Sequence, residues 1–374
     1  MFFFCSRPDA ILAAMVDLLP DRPRKGRGAV SNRSGRFEAV ARIRTDDGWT
    51  ADPEEDPPAV ATTLTVDASR TIVTRNESPD VPFDRSINPY KGCEHGCVYC
   101  FARPTHAYLG LSPGLDFETR LFWKPDAPTL LDRELRRAGY EPRTLALGAN
   151  TDAYQPVERD LRLTRRIIEV LSAFRHPFGI ITKSALVLRD LDLIAPMAAE
   201  GLAGVSVSVT TLDRDLARRM EPRASTPAKR LEAIRRLADA GVPVAILASP
   251  MIPALNDHEL EAILAAGAEA GATAANTILL RLPLELAGLF EEWLRTHVPD
   301  RADRVLSLIR QSRGGSLYRS AFGERMAGTG PHADLLRARF RAAVRRYGLG
   351  GRRWDLRTDL FRVPPAAGDQ MSFL

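Results

Sequence analysis

Ile87 to Pro104 reads INPYKGCEHGCVYCFARP and sets three thiols, Cys93, Cys97 and Cys100, in a C-x3-C-x2-C run within eight residues. Cysteines this close do not staple distant parts of a chain, but they suit one shared metal or cluster. Thiolates hold iron tightly, and a four-iron cubane bound by three of them keeps one iron open. Gly92 and Gly96 suit a loop whose backbone wraps closely around such a group. A zinc ion is the alternative, with His95 or His106 as a fourth ligand, although structural zinc usually joins two separated ligand couples. A thioredoxin-like pair of Cys97 and Cys100 would leave Cys93 idle. The bacterial ferredoxin run has another order and a fourth cysteine followed by proline. The remaining cysteine, Cys5, is remote and reads as a spare thiol.

Working outward, short apolar runs alternate with helical periodicity between about Asp84 and Pro283. Strands are expected at Ser86–Asn88, Thr144–Gly148, Phe178–Thr182, Gly204–Thr210, Pro243–Ala248 and Asn276–Leu282. Between them Leu163, Ile167, Val170, Leu171 and Phe174 share a helical face, as do Leu231, Ile234, Leu237 and Ala238, and then Leu260, Ile263 and Leu264. Strand, helix, strand at roughly 30-residue spacing marks right-handed βαβ units and a parallel sheet, with ligands at the C-terminal strand ends. The predicted class is α/β, a partial parallel (β/α)6 barrel.

Three regions are expected: 1–78, a basic, partly disordered N-terminal arm; 79–285, the barrel core; and 286–374, an arginine-rich helical C-terminal extension. Arg22 to Arg44 holds eight basic residues against Glu38 alone, and an acidic, proline-containing stretch, Asp52 to Pro58, follows. Such composition buries little apolar surface. After Pro283, helices are expected over Leu286–Thr296, Arg301–Arg310 and Pro331–Tyr347.

The cysteine loop resembles the hallmark of the radical SAM superfamily, C-x3-C-aromatic-C after the first strand of a six-unit partial barrel, with Tyr99 in the aromatic place. The resemblance spans about Asp84 to Pro283. Further segments resemble the branch containing spore photoproduct lyase and its uncharacterised DNA repair photolyase-like relatives. It implies a [4Fe-4S] cluster on Cys93, Cys97 and Cys100, with S-adenosylmethionine (SAM) on the open iron. Reductive cleavage of SAM to a 5′-deoxyadenosyl radical would follow, with an electron donor such as flavodoxin or ferredoxin.

The resemblance also implies SAM contacts. Asn150 and Asp152, in Gly148-Ala-Asn-Thr-Asp152, stand where the superfamily has a Gly-Gly-Glu turn for the SAM amino group. Lys183, in Ile-Thr-Lys-Ser, stands near the SAM carboxylate. Ser206 and Ser208 lie two apart on one strand face and suit the SAM ribose. Arg223, in Glu221-Pro-Arg, suits an anionic group. Asn256, in the loop from Ser249 to Asp257, is either part of the adenine-side loop or a helix cap.

One departure limits the analogy: spore photoproduct lyase uses a cysteine beyond the cluster to return hydrogen to its product radical, and here no cysteine follows Cys100. Tyr108, Tyr140 and Tyr154 are conceivable hydrogen donors, and no catalytic residue is singled out. The formal charge is +5 with a pI of about 9.2, and only five of the 52 basic residues are lysines. A basic balance permits an anionic partner without requiring one. The basic arm, the arginine-rich C-terminal region and the resemblance to spore photoproduct lyase together make a nucleic acid the first expectation for the substrate. The competing reading is a non-catalytic Fe-S or zinc protein that binds nucleic acid. With no convincing secretory signal in Met1 to Leu19 and no uncharged membrane-length stretch, the chain reads as cytoplasmic, without a membrane partner.

Overall fold

A computed structural model describes residues 21–42, 60–351 and 356–365. Cys5, the Met1 to Leu19 segment and the acidic stretch Asp52 to Pro58 lie outside the described residues. The strands in chain order are β1 (Thr63–Val66), β2 (Val73–Arg75), β3 (Arg85–Ile87), β4 (Tyr90–Lys91) and β5 (Arg120–Trp123). They continue with β6 (Leu145–Leu147), β7 (Phe178–Thr182), β8 (Ala203–Ser208), β9 (Val244–Met251) and β10 (Ala274–Leu279).

The main sheet has the order β10-β9-β8-β7-β6-β3-β2. From β3 to β10 all neighbours are parallel and follow chain order, so each crossover winds the same way and the sheet curls into a partial (β/α)6 barrel. The expected β7 limits match those observed. Ile180, Val205, Val207 and Ile246 are buried within these strands, each contributing roughly 1.5–3 kcal/mol.

Helix Leu163–Ala173 buries Leu163, Ile167, Ile168 and Leu171, the face that its periodicity prescribes. Helix Pro227–Asp239 begins with proline at its first position, where the missing N–H costs nothing. Helices Leu286–His297, Pro299–Gln311 and Gly330–Tyr347 form the C-terminal part. Phe290, Trp293, Val305 and Ile309 of the first two join Val98 and Tyr99 of the cysteine loop in one apolar cluster.

The described part of the N-terminal region departs from the expected disordered arm. Arg27, Ala29, Val30 and Ser31 are buried, β1 pairs with β5, and β2 pairs antiparallel with β3 at the sheet edge. The segment is ordered by polar contacts rather than by an apolar face, so its composition does not reveal its burial. Among the described residues no helix is long and apolar enough to cross a membrane.

Candidate active site

The cysteine loop follows β4 and is pinned through its backbone at several points. Cys93 N–H donates to Phe117 O (2.9 Å), Glu94 N–H to Gln155 Oε1 (2.8 Å) and Val98 N–H to Met220 O (3.0 Å). Gly92 and Gly96 adopt φ of 79° and 66°, the left-handed region that glycine enters without strain.

Two buried ion pairs brace the loop. Arg103, fully buried, donates to Cys97 O (2.8 Å) and Gly96 O (3.0 Å) and pairs with Glu118. Glu118 also accepts from the backbone N–H groups of Gly28 (2.9 Å) and Ala29 (2.8 Å). The N-terminal segment is thus a strap laid on the loop. A β-carbon at Gly28 would lie 1.8 Å from Gly96 O, so only glycine allows the two backbones this close. On the other side, the Tyr99 hydroxyl bonds Glu221 and lies 3.1 Å from Thr210 Oγ1, while Glu221 pairs with buried Arg230. Arg230 donates to Ser208 O (3.1 Å), tying this brace to the end of β8.

The loop borders a cavity of about 330 Å3 at the C-terminal ends of the barrel strands. Cys93, Cys97 and Cys100 line it together with His95, Tyr99, Asn150, Asp152, Lys183 and Ser208. Most of the expected site residues therefore share one cavity. All three thiols are free of disulfides. Burial pushes the Cys93 and Cys97 thiols up, reinforced by Asp152 at Cys93 and Glu221 at Cys97. Such thiols ionise when a bound cationic centre compensates them, which fits metal or cluster ligands. Among the described residues no three His, Cys, Asp or Glu side chains converge on a single ion. Thiols that bind different irons of one cubane need not converge, so the donor set fits a cluster better than zinc.

Asp152 is positioned rather than free. Its carboxylate accepts from Thr182 Oγ1 (2.7 Å), Tyr154 N–H (2.9 Å) and Lys183 N–H (2.7 Å), and lies 3.3 Å from His95 Nδ1. Burial acts to raise its pKa, but His95 and these donors outweigh it and bring the group to about 2. Asn150 is held through its backbone N–H on Asn88 Oδ1 (2.9 Å), which leaves its side-chain amide to the cavity. The Lys183 ammonium sits 5.7 Å from the Tyr99 ring centroid.

Two expected residues, Ser206 and Arg223, lie outside this lining, and of the two readings for Asn256 the helix cap does not hold. Ser206 is buried outside the cavity lining, its hydroxyl without a partner; two residues before Ser208 on the same face, it lies a layer deeper in the barrel. Arg223 also lies outside the lining, drawn to Glu94 (3.2 Å) by charge pairing. Asn256 makes no helix-cap bond; it accepts from Ile252 N–H and donates to Thr210 O and Pro250 O, bracing its own loop.

The tyrosines considered as hydrogen donors lie elsewhere. Tyr140 bonds His176 (2.8 Å), Tyr154 bonds Asp190 (3.1 Å), and Tyr108 is exposed beside Phe37. Arg103 and Glu118, which brace the loop, were missed. Arg103 stands three residues after Cys100, but an arginine gives no sequence signal of complete burial.

The profile of the Radical SAM superfamily matches residues 87–266. An uncharacterised protein of Mycobacterium tuberculosis is 39% identical over 252 residues, covering 66% of this chain and 74% of that protein. An uncharacterised protein of Methanocaldococcus jannaschii is 30% identical over 173 residues, 46% of this chain and 62% of that one. In fold, a spore photoproduct lyase variant superposes with a TM-score of 0.56 at 18% identity, over 77% of this chain and 80% of that chain. Another, solved with bound AdoMet and dinucleoside spore photoproduct, gives 0.54 at 16% identity, over 76% and 79%.

Proposed function

Because this chain belongs to the radical SAM superfamily, whose members use a [4Fe-4S] cluster and S-adenosylmethionine, we propose that Cys93, Cys97 and Cys100 hold the cluster and that the cavity above them binds SAM. Held there, the group would supply one-electron reduction of the SAM sulfonium, giving methionine and a 5′-deoxyadenosyl radical for hydrogen abstraction from a substrate.

The chain's own residues bind and orient. Lys183, whose ammonium lies beside the Tyr99 ring, holds the SAM carboxylate as a point charge. The Asn150 amide takes the amino group, with Asp152 fixing the turn that presents it. Ser208 reaches a ribose hydroxyl. Tyr99, anchored by Glu221, keeps its ring under Lys183 and shields the cavity floor from water. A flavodoxin or ferredoxin provides the electron, and the free thiols suit a reducing cytoplasmic setting. The observation that carries this reading is the gathering of three free thiols, Asn150 and Lys183 around one cavity.

The proposed substrate is a nucleic acid. Support comes from the basic balance of the chain and from the dinucleoside held by a protein of similar fold. A spore photoproduct lyase-type hydrogen return through a later cysteine is not proposed, since none follows Cys100.

The test is anaerobic reconstitution with iron and sulfide, reduction, and chromatography for 5′-deoxyadenosine. Its formation with SAM, and its loss in Cys100→Ala, is expected. Full cluster loading with no 5′-deoxyadenosine would instead favour a non-catalytic iron-sulfur protein.

A further inference from the structure

The wall of the cavity formed by β10 carries features that SAM binding does not use. Arg281, two residues beyond β10, lines the cavity with its guanidinium 4.5 Å from the Phe101 ring centroid. Among the described residues it has neither an ion pair nor a hydrogen-bonded acceptor. Tyr318, Asp80 and Cys100 favour its charge only from a distance: Arg325 is the one held by Asp80, and Arg313 donates to the carbonyls of Leu279, Leu280 and Glu324. With Asp80 taken by Arg325 and Arg313 spent on carbonyls, Arg281 keeps its N–H donors free among the described residues. Burial lowers its pKa, as expected for a charge awaiting a counter-ion.

The rim beside it is aromatic. Phe101 is 42% exposed and Phe322 is 60% exposed, and the Arg325 guanidinium lies 4.6 Å from the Phe322 ring centroid. Gly323 N–H donates to Asp80, itself in the cavity lining, so the Phe322 loop is fastened to the rim. Open ring faces interleaved with cations are how proteins hold single-stranded nucleic acid without reading its sequence, since every base has a π-face. A carboxylate-bearing polymer would use the cation and leave both rings idle.

We infer that Arg281 binds a backbone phosphate of a single-stranded nucleic acid, with flanking bases stacked on Phe101 and Phe322 and one nucleotide presented to the cavity. This rests on the proposed function and names how its substrate is held. A planar guanidinium suits a phosphate through paired N–H donors. The cavity of about 330 Å3 admits only a small part of a polymer, so the strand's neighbouring residues stay on the rim.

The test is fluorescence anisotropy of the full chain titrated with labelled single-stranded oligothymidylate at several salt concentrations, with thymidine monophosphate and polyglutamate as competitors. Arg281→Gln is expected to weaken strand binding about tenfold and to reduce the salt slope by about 0.7, one phosphate contact on a single strand. Phe322→Ala, at an exposed position, is expected to weaken binding roughly fivefold or more through the lost stack. Wild-type affinity and slope in Arg281→Gln would overturn the inference. So would polyglutamate competing as well as a strand, or the mononucleotide binding as tightly. Binding requires neither cluster nor SAM, so failure here is separable from failure to make 5′-deoxyadenosine.

Discussion

The cysteine wall of the cavity and the β10 wall treat charge in opposite ways. Around the cysteines, Arg103 is matched with Glu118 and Arg230 with Glu221. Arg281, just beyond β10, rests on Phe101 of the cysteine loop with no acceptor among the described residues, and Lys183, just beyond β7, lies beside Tyr99. Matched charges spend their hydrogen bonds on backbone carbonyls and N–H groups, so they fix the loop before any ligand arrives. Unmatched cations keep that capacity for anionic groups that come from outside. On the proposed roles, the matched charges preorganise the loop, and the unmatched cations are kept for the anionic groups of SAM (Lys183) and of the substrate (Arg281).

The largest effect is expected at the thiols. Replacing any one of Cys93, Cys97 or Cys100 with alanine should reduce bound iron from about four per chain towards none. Iron and sulfide analysis after anaerobic reconstitution checks this, and full retention in all three variants would remove the cluster from this wall.

Next comes a direct contrast between the walls. Arg103→Met leaves Glu118 buried without its cation and should cost about 3–5 kcal/mol in urea unfolding. Arg281→Gln removes a half-buried cation that has no acceptor among the described residues and should not lower stability. Equal losses would break the comparison.

A smaller loss is expected at the strap. Gly28→Ala forces a β-carbon towards Gly96 O, and the resulting shift should cost about 1–3 kcal/mol. Limited proteolysis within residues 21–42 should then proceed faster than in the wild type. An unchanged digestion pattern would mean that the strap is not seated on the cysteine loop.

The smallest concerns His106, which backs this loop. Burial holds its pKa at about 4, against about 6.5 when unfolded. The unfolded chain therefore binds the proton first as pH falls. The stabilising contribution is whole above about pH 6.5 and is lost as pH falls towards 4. Between about pH 7 and pH 6 the loss should be under about 1 kcal/mol. Urea midpoints should fall less in His106→Gln than in the wild type over that interval.

What was legible in the sequence follows from what is local. The cysteine spacing is a contiguous signal, and β7 to β10 announce themselves through apolar, β-branched runs between amphipathic helices. The short strand β1 is fully exposed, and β2 is mostly so, so neither offers an apolar alternation to read. The strap is hidden for a different reason. Its burial depends on Gly28 and Ala29 reaching a carboxylate about 90 residues away, and nothing in a glycine- and arginine-rich composition reports that. Ser206 and Ser208 illustrate the limit of periodicity, which gives a shared face but not the depth at which each residue meets the cavity. Arg223 had the right type for an anion, but the nearer anion is Glu94.

The central proposal is that Cys93, Cys97 and Cys100 hold a cluster to which SAM would bind. The most direct measurement is the EPR spectrum of the reduced, reconstituted protein recorded without and with SAM. The account predicts a reduced [4Fe-4S] signal whose g-values shift when SAM is added, and neither signal nor shift in Cys97→Ala. A full [4Fe-4S] signal that SAM leaves unchanged, or one that survives in Cys97→Ala, would contradict it.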